Sequence, residues 1–452
     1  MNKPELVKST SGIRGVIGNG LDPVMITAYG AAFGTFLKRG PVVIGRDSRP
    51  SGDMVSRAVI AGLMSVGVDV IDVGIVPTPT VEIAVTKLRA SGGICVTASH
   101  NPSQWNALKF FNDRGEFITP DQYRQLDAIF SANAFSFVPH RKLGVVSQQS
   151  HWIDEHIRQT LALKTVNAKA IKSRCFKVVV DAINGAGSIA LPALLERLGV
   201  RVVRINCKGD GDFVHKPEPI PAHLKQLAAA VRKHRADLGM ACDPDADRLV
   251  LVDEKGRAIN EELTLTIAVK QVLKRERGST VINLSTSSTT AAVAKGMGSA
   301  VYYSKVGESN VVQMMREKRA VIGGEGNGGV IYPTFHTGRD ALVGAALVLS
   351  CLAEEKRSLS ELVGTFPRYC IIKSKATLPE DFKKRLERFA GEADRLLGKT
   401  EIDNRDGVRF DFAEGWVQIR SSNTEPIYRL IVETKDRKLT ASLHDKIISF
   451  FA

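Results

Sequence analysis

One hydrophobic pattern recurs three times along the chain. The run Pro41-Val42-Val43-Ile44 ends in Gly45-Arg46-Asp47. A helical stretch from Ser51 to Val66 follows, with apolar positions at Met54, Val55, Ala58, Val59, Gly62 and Leu63. Gly67 ends it, and a second apolar run covers Val68 to Val73. Residues 177–207 repeat the order as KVVVDAINGAGS, LPALLERLG and VRVVRINC, and residues 280–306 as TVINLSTSSTT, AAVAKGMG and SAVYYSKV. Each copy reads strand, polar turn, helix, glycine, strand. Strands joined through helices pair in parallel, because a crossover needs the length of a helix. The pattern therefore predicts three similar α/β domains with mixed, mostly parallel sheets. Residues 113–150 read as polar and irregular, apart from a helical piece from Pro120 to Phe130. Residues 151–164 read as a helix opening the second domain; its His151 and His156 are given no role. Ala341 to Ala353 reads as a buried helix, too short to span a bilayer.

A different pattern begins near Phe366-Pro367. Residues 378–397 form an amphipathic helical stretch, and Trp416–Arg420 and Ile427–Leu430 bracket a polar turn. This predicts a smaller C-terminal α+β domain. The expected boundaries are 1–150, 151–253, 254–366 and 367–452.

Length and composition change this picture little. The 452 residues exceed one core, and 44% hydrophobic with 24% charged residues is ordinary for a globular protein. The N-terminus lacks the apolar core of a signal peptide, and six scattered cysteines without a CxxC pair fit a reducing cytoplasm better than a zinc site. The net charge of +14 allows nucleic acid or an anionic small molecule as partner. The absence of a long basic run, with 6% aromatics, weighs against nucleic acid.

Three polar loops held between apolar runs carry candidate chemistry. Cys95–Phe111 reads CVTASHNPSQWNALKFF, which holds the Ser99 hydroxyl at a fixed point beside His100, with Lys109 ten residues on. A turn with no chemistry is the plain alternative. Residues 237–253, DLGMACDPDADRLVLVD, place Asp243, Asp245 and Asp247 on one loop before Arg248. Three carboxylates this close repel unless a cation sits among them, and a hard divalent ion such as magnesium suits them. A calcium EF-hand would use Asp243, Asp245, Asp247 and Glu254, but Arg248 stands where that loop needs glycine and the flanks read as strands. Residues 321–329, VIGGEGNGG, allow close backbone approach and offer Glu325 and Asn327 to sugar hydroxyls, or form a simple hairpin. The C-terminal turn offers Arg420, Ser422, Asn423 and Thr424, with Arg429 beyond, a combination suited to phosphate. Near the N-terminus, glycines flank Arg14 in STSGIRGVIG and suggest a loop presenting a guanidinium. Arg46-Asp47-Ser48-Arg49 lies at a strand's carboxyl end, where α/β sheets bind ligands; Asp47 and Arg49 either line a site or pair with each other.

Taken in order, the Ser99 loop, the aspartate loop, the Glu325 loop and the Arg420 turn resemble the four motifs of the α-D-phosphohexomutase superfamily over essentially the whole chain. The resemblance implies four domains around a central cleft. It implies that Ser99 carries a phosphoryl group and helps hold Mg2+ with Asp243, Asp245 and Asp247. Arg14 and Arg248 then contact phosphate, and Lys109 is a candidate acid/base group whose pKa would have to be lowered. A sugar bisphosphate is the expected activator, and a phosphosugar the substrate. The TSGIRG start and the glycine-rich third loop look most like phosphoglucosamine mutases, with phosphomannomutase/phosphoglucomutase next. Where bacterial relatives often end the third motif in histidine, this chain has Gly329. The implied enzyme is cytoplasmic, a monomer or homodimer, and binds neither nucleic acid nor membrane. A non-catalytic phosphosugar-binding protein would need neither Ser99 nor the aspartates.

Overall fold

The computed structural model describes residues 6–38, 40–421 and 427–451. The three predicted units are present as strand–helix–strand crossovers: Val42–Arg46 to Val70–Ile75, Lys177–Asp181 to Arg201–Ile205, and Thr280–Asn283 to Val301–Ser304. Each pair is parallel. The recurring glycine has a conformational cause. Gly67, Gly199 and Gly298 follow the crossover helices at φ of 79°, 77° and 79°, a left-handed region that closes a helix without a Cβ clash.

Beyond the sequence pattern, the likeness continues. In every unit a second helix returns the chain to the other side of the first strand: Gly92–Val96, Leu238–Cys242 and Ile322–Glu325. A hairpin then reverses it into Trp105–Phe111, Leu249–Asp253 and Gly329–Ile331. The Ser99 loop, the aspartate loop and the Glu325 loop are thus the same hairpin in three copies. Among the described residues the first sheet has eight strands, and the second and third have four each.

The fourth domain is a five-stranded antiparallel sheet with helices Phe382–Leu397 and Arg437–Phe451. One continuous core joins the second and third domains around Ala341–Glu355. That helix is buried along nearly its whole length, and the Asp340 carboxylate caps its first amides. Among the described residues no helix is long and apolar enough to cross a membrane.

The chain departs from the sequence reading at Arg14. Gly12–Ile17 is a strand, not a loop, paired antiparallel with Trp105–Phe111 so that Arg14 lies opposite Ala107. Gly12 sits at φ 116°, and a Cβ there would come within 2.2 Å of the Leu108 carbonyl oxygen. The flanking glycine serves this close approach. Within 113–150, Val146–Gln148 also adds an edge strand.

Candidate active site

The serine loop is built from below. Arg49 spends its whole guanidinium on it: Nε pairs with Asp47 at 2.9 Å, and the terminal nitrogens donate to the carbonyls of Ser99, Asn101, Pro102 and Trp105. Asp47 also accepts from the Thr97 hydroxyl at 2.6 Å, and Thr97 Oγ1 accepts from the Ser99 amide at 3.0 Å. Asp47 and Arg49 therefore pair with each other and, through that pair, set the loop. Ser99 is held at φ 49°, an uncommon region for serine that persists where the surroundings enforce it. Replacing Arg49 with lysine keeps the charge and loses the fork. Arg49→Lys is expected to cost about 3 kcal/mol of unfolding free energy, checked by denaturant titration.

The second hairpin meets this loop face to face. Ser99 Oγ donates to Asp243 Oδ2 at 3.0 Å, and His100 Nδ1 lies 3.2 Å from the same oxygen. Asp243, Asp245 and Asp247 are almost completely buried. Asp243 Oδ1 accepts from the amides of Asp247 and Arg248. Asp245 Oδ2 accepts from Thr78 and from Lys109, each at 2.6 Å, so the first domain grips the aspartate loop.

The charges are unbalanced in a telling way. Burial, then Asp247 and Asp245, push the Asp243 carboxyl well above the usual range. The three carboxylates bring ligand atoms within 4.8 Å of one another. Asp245 Oδ1 and Asp247 Oδ1 are buried and accept no hydrogen bond among the described residues. Free oxygens of mutually repelling carboxylates suit a hard divalent cation. The EF-hand alternative fails on position: Glu254 turns away to accept from the Ser358 hydroxyl and from the amide and hydroxyl of Ser360.

Cations ring the same spot. Arg248 Nε lies 3.7 Å from Asp247 Oδ1 and 4.0 Å from Asp243 Oδ2. Arg14 NH1 reaches Asn101 at 3.4 Å. Among the described residues the Nε atoms of Arg14 and Arg248 are buried without a hydrogen-bond partner. Burial and the neighbouring Arg248 lower the Arg14 pKa, since each disfavours a second positive charge at this spot. His100 is pushed well down by burial, Arg248 and Arg14, and stays neutral.

The expectation of a lowered pKa for Lys109 is wrong. Burial does favour the neutral amine, but Asp245 and Asp247 outweigh it and raise the ammonium above its ordinary value. Its surroundings are anionic.

The third hairpin brings Glu325 and Asn327. Glu325 accepts from Asn283 at 2.8 Å, the Gly307 amide at 2.9 Å and Arg339 at 2.8 Å. Arg339, which the sequence did not single out, also donates to Asp247 Oδ2 at 2.5 Å. The one available signal was its place just before the helix-capping Asp340.

The fourth domain docks on the third. Glu433 accepts from the Ser288 amide, Val306 donates to Asp406, and Lys373 donates to the Gly326 carbonyl. Arg420 NH1 lies 3.7 Å from Asp406, and its Nε is buried without a hydrogen bond among the described residues. Arg429 lies opposite Arg420 in the ladder. These contacts join Arg420 to the third domain's loops rather than to Ser99. Ser422, Asn423 and Thr424 lie outside the described residues.

His156, given no role from sequence, is fully buried in a second cluster where three domains meet. Asp340 Oδ2 accepts from His156 Nε2 at 2.8 Å and His336 Nε2 at 2.9 Å; His156 Nδ1 reaches Thr80, and His336 Nδ1 lies 3.4 Å from Glu82. Burial alone would lower His336, but Asp340 and Glu82 win and push it up to about 9. Burial pushes Glu82 up to about 8 against the pull of His336. Both groups keep protons that the unfolded chain has released near neutrality, so stability falls as pH rises through these values. The melting midpoint is expected to drop between about pH 4.5, where the unfolded carboxyl releases its proton, and about pH 9, where His336 releases its own in the folded chain, and Glu82→Gln to flatten that drop.

Comparison with known proteins agrees with this architecture. Residues 5–137, 154–256 and 260–369 match the domains described as phosphoglucomutase/phosphomannomutase, alpha/beta/alpha domains I, II and III, and residues 371–449 match the C-terminal domain of that family. A phosphoglucomutase/phosphomannomutase of Thermococcus kodakarensis is 38% identical over 95% of this chain and 94% of its own. A protein of Methanopyrus kandleri described as a probable phosphoglucosamine mutase is 34% identical over 97% and 96%. The crystal structure of a phosphoglucomutase/phosphomannomutase family protein from Burkholderia thailandensis superposes with a TM-score of 0.85 at 29% identity, covering 98% of this chain and 97% of that one. Fold and relatives together define an isomerase of the phosphohexomutase class. The matches run through all four domains in order. The chain belongs to the phosphoglucomutase/phosphomannomutase family.

Proposed function

We propose that the chain interconverts a hexose 6-phosphate and the corresponding 1-phosphate through phosphorylated Ser99, with glucosamine phosphate as its preferred sugar. The observation that carries this reading is the meeting of Ser99 with the aspartate loop at 3.0 Å, under unpartnered arginine nitrogens.

In the first half-reaction the Ser99 Oγ–P bond breaks and a bond forms from phosphorus to the free sugar hydroxyl, giving a bisphosphate. The hydroxyl loses its proton and Ser99 regains one. In the second half, after the bisphosphate has turned over, Ser99 Oγ attacks the other phosphate, the bond from that phosphorus to the sugar oxygen breaks, and the sugar oxygen takes up a proton to leave as a hydroxyl. Its proton then has two acceptors in reach, Asp243 Oδ2 and neutral His100 Nδ1. Asp243, Asp245 and Asp247 would hold Mg2+, which when bound neutralises charge on the phosphoryl in transfer. Lys109 acts as a fixed cation. Arg14 and Arg248 supply donors to the phosphoryl oxygens. Glu325 and Asn327 face the sugar hydroxyls. Arg420, with Ser422, Asn423, Thr424 and Arg429, holds the phosphate that is not reacting, and movement of the last domain excludes water. A sugar bisphosphate primes unphosphorylated Ser99.

Relatives described as probable phosphoglucosamine mutases support glucosamine; the relative at 38% identity, a phosphoglucomutase/phosphomannomutase, favours glucose and mannose as the second reading. Assaying glucosamine, glucose and mannose 6-phosphates side by side with Mg2+ and a bisphosphate decides between them. The highest kcat/KM for glucosamine 6-phosphate is expected; a preference for glucose or mannose would replace that sugar.

A further inference from the structure

Arg339 connects two loops that the chemistry otherwise treats separately. Its NH2 donates to Asp247 Oδ2 at 2.5 Å, its NH1 to Glu325 Oε2 at 2.8 Å, and its Nε to Glu308 Oε2 at 3.1 Å. Its backbone amide donates to the other Glu308 oxygen at 3.0 Å. One planar fork thus spans an aspartate of the second domain and the sugar-facing glutamate of the third. It is also selective. By taking Oδ2 of Asp247 it leaves Oδ1 as the oxygen without a hydrogen bond.

Two neighbours leave the guanidinium little choice of place. A Cβ on Gly329 would come within 2.4 Å of Arg339 Cδ, so this glycine is small because the arginine lies across it. A Cβ on Gly338 would come within 1.6 Å of Glu82 Oε2, which pins the preceding residue against the first domain. The absence of a side chain at 329 is therefore matched by the presence of one at 339.

Glu325 has few free acceptor positions. Oε1 takes Asn283 and the Gly307 amide; Oε2 takes Arg339 and, at 3.4 Å, Asn327. A sugar hydroxyl donating to Oε2 must share it with Arg339. A cation on Asp247 must likewise share that carboxylate with the other end of the same fork.

From this geometry we infer that Arg339 is a positioning residue that couples cation binding at the aspartates to sugar binding at Glu325. The inference rests on the reading above, in which the aspartates hold a divalent cation and Glu325 faces the sugar. A cation drawing charge from Asp247 frees the fork to order Glu325, so each ligand tightens the other. Linkage requires the two effects to be equal.

The test is equilibrium binding to the unphosphorylated full-length protein, which does not turn over without bisphosphate. Mn2+ affinity is read by electron paramagnetic resonance with and without glucosamine 6-phosphate. The parent is expected to bind Mn2+ at least about fivefold more tightly when the sugar is present, within the usual span of such couplings. Arg339→Met should bind Mn2+ yet lose most of that factor. Gly329→Ala, which keeps every charge but crowds the arginine stem, should do the same and decides the matter if the first variant does not fold. Retention of the parent's factor in the folded variants overturns the coupling role, as does a parent with no coupling. A parent that binds no Mn2+ at all overturns the cation reading itself, and the inference with it.

Discussion

Ser99→Ala is expected to lower mutase turnover more than about a thousandfold, because it removes the oxygen proposed to carry the phosphoryl between half-reactions. The serine is not a packing residue. Its hydroxyl meets Asp243 and His100, while the loop's shape is set by Arg49, Asp47 and Thr97. The variant should therefore fold, melt close to the parent and still bind phosphosugar. Loss of turnover with retained binding, measured by calorimetry on the same preparation, separates a missing phosphoryl carrier from a damaged site. Turnover near the parent's rate would remove Ser99 from the reaction.

Asp243→Asn is expected to have the second largest effect, and in two opposite directions. The amide oxygen still accepts from the Asp247 and Arg248 amides, so the loop keeps its shape. In the metal-free protein the substitution removes the carboxylate most penalised by burial and by Asp247 and Asp245, so the melting midpoint should stay level or rise. The stabilisation gained on adding Mg2+ should shrink sharply, since a ligand that binds the folded state stabilises it by an amount that grows with the logarithm of its affinity. Turnover should fall on the order of a hundredfold or more, the equivalent of several kcal/mol of charge stabilisation. A variant that keeps the full Mg2+-induced shift would place the cation elsewhere.

What the sequence made legible was local. The Ser99 and aspartate loops are contiguous strings between apolar strands, and the three crossover units announce themselves by a shared period and a closing glycine. The parts that escaped depend on distance. Nothing near Arg339 in sequence marks it as the partner of Asp247, which lies 92 positions away, or of Glu308. Thr78 reaches Asp245 across 167 positions. The burial of His156 follows from Thr80, Asp340 and His336 converging from other domains, which no helical period can show. Gly12–Ile17 passed for a loop because its glycines suggest a turn, whereas they allow one strand to lie against another. Val146–Gln148 is three exposed residues with no alternation to read. The error over Lys109 was electrostatic. Its charge state depends on which carboxylates the fold presses against it, and these arrive from the second domain.

Whether Ser99 is the phosphoryl carrier can be asked of the protein itself. Unphosphorylated enzyme is incubated with Mg2+ and a hexose bisphosphate bearing a radiolabelled phosphoryl group, then digested, and the label is located by peptide mass spectrometry. The label is expected on Ser99 and on that residue alone, and it should return to sugar when monophosphate is added. Mutase turnover with Ser99 unlabelled, or with the label on another residue, would contradict the account.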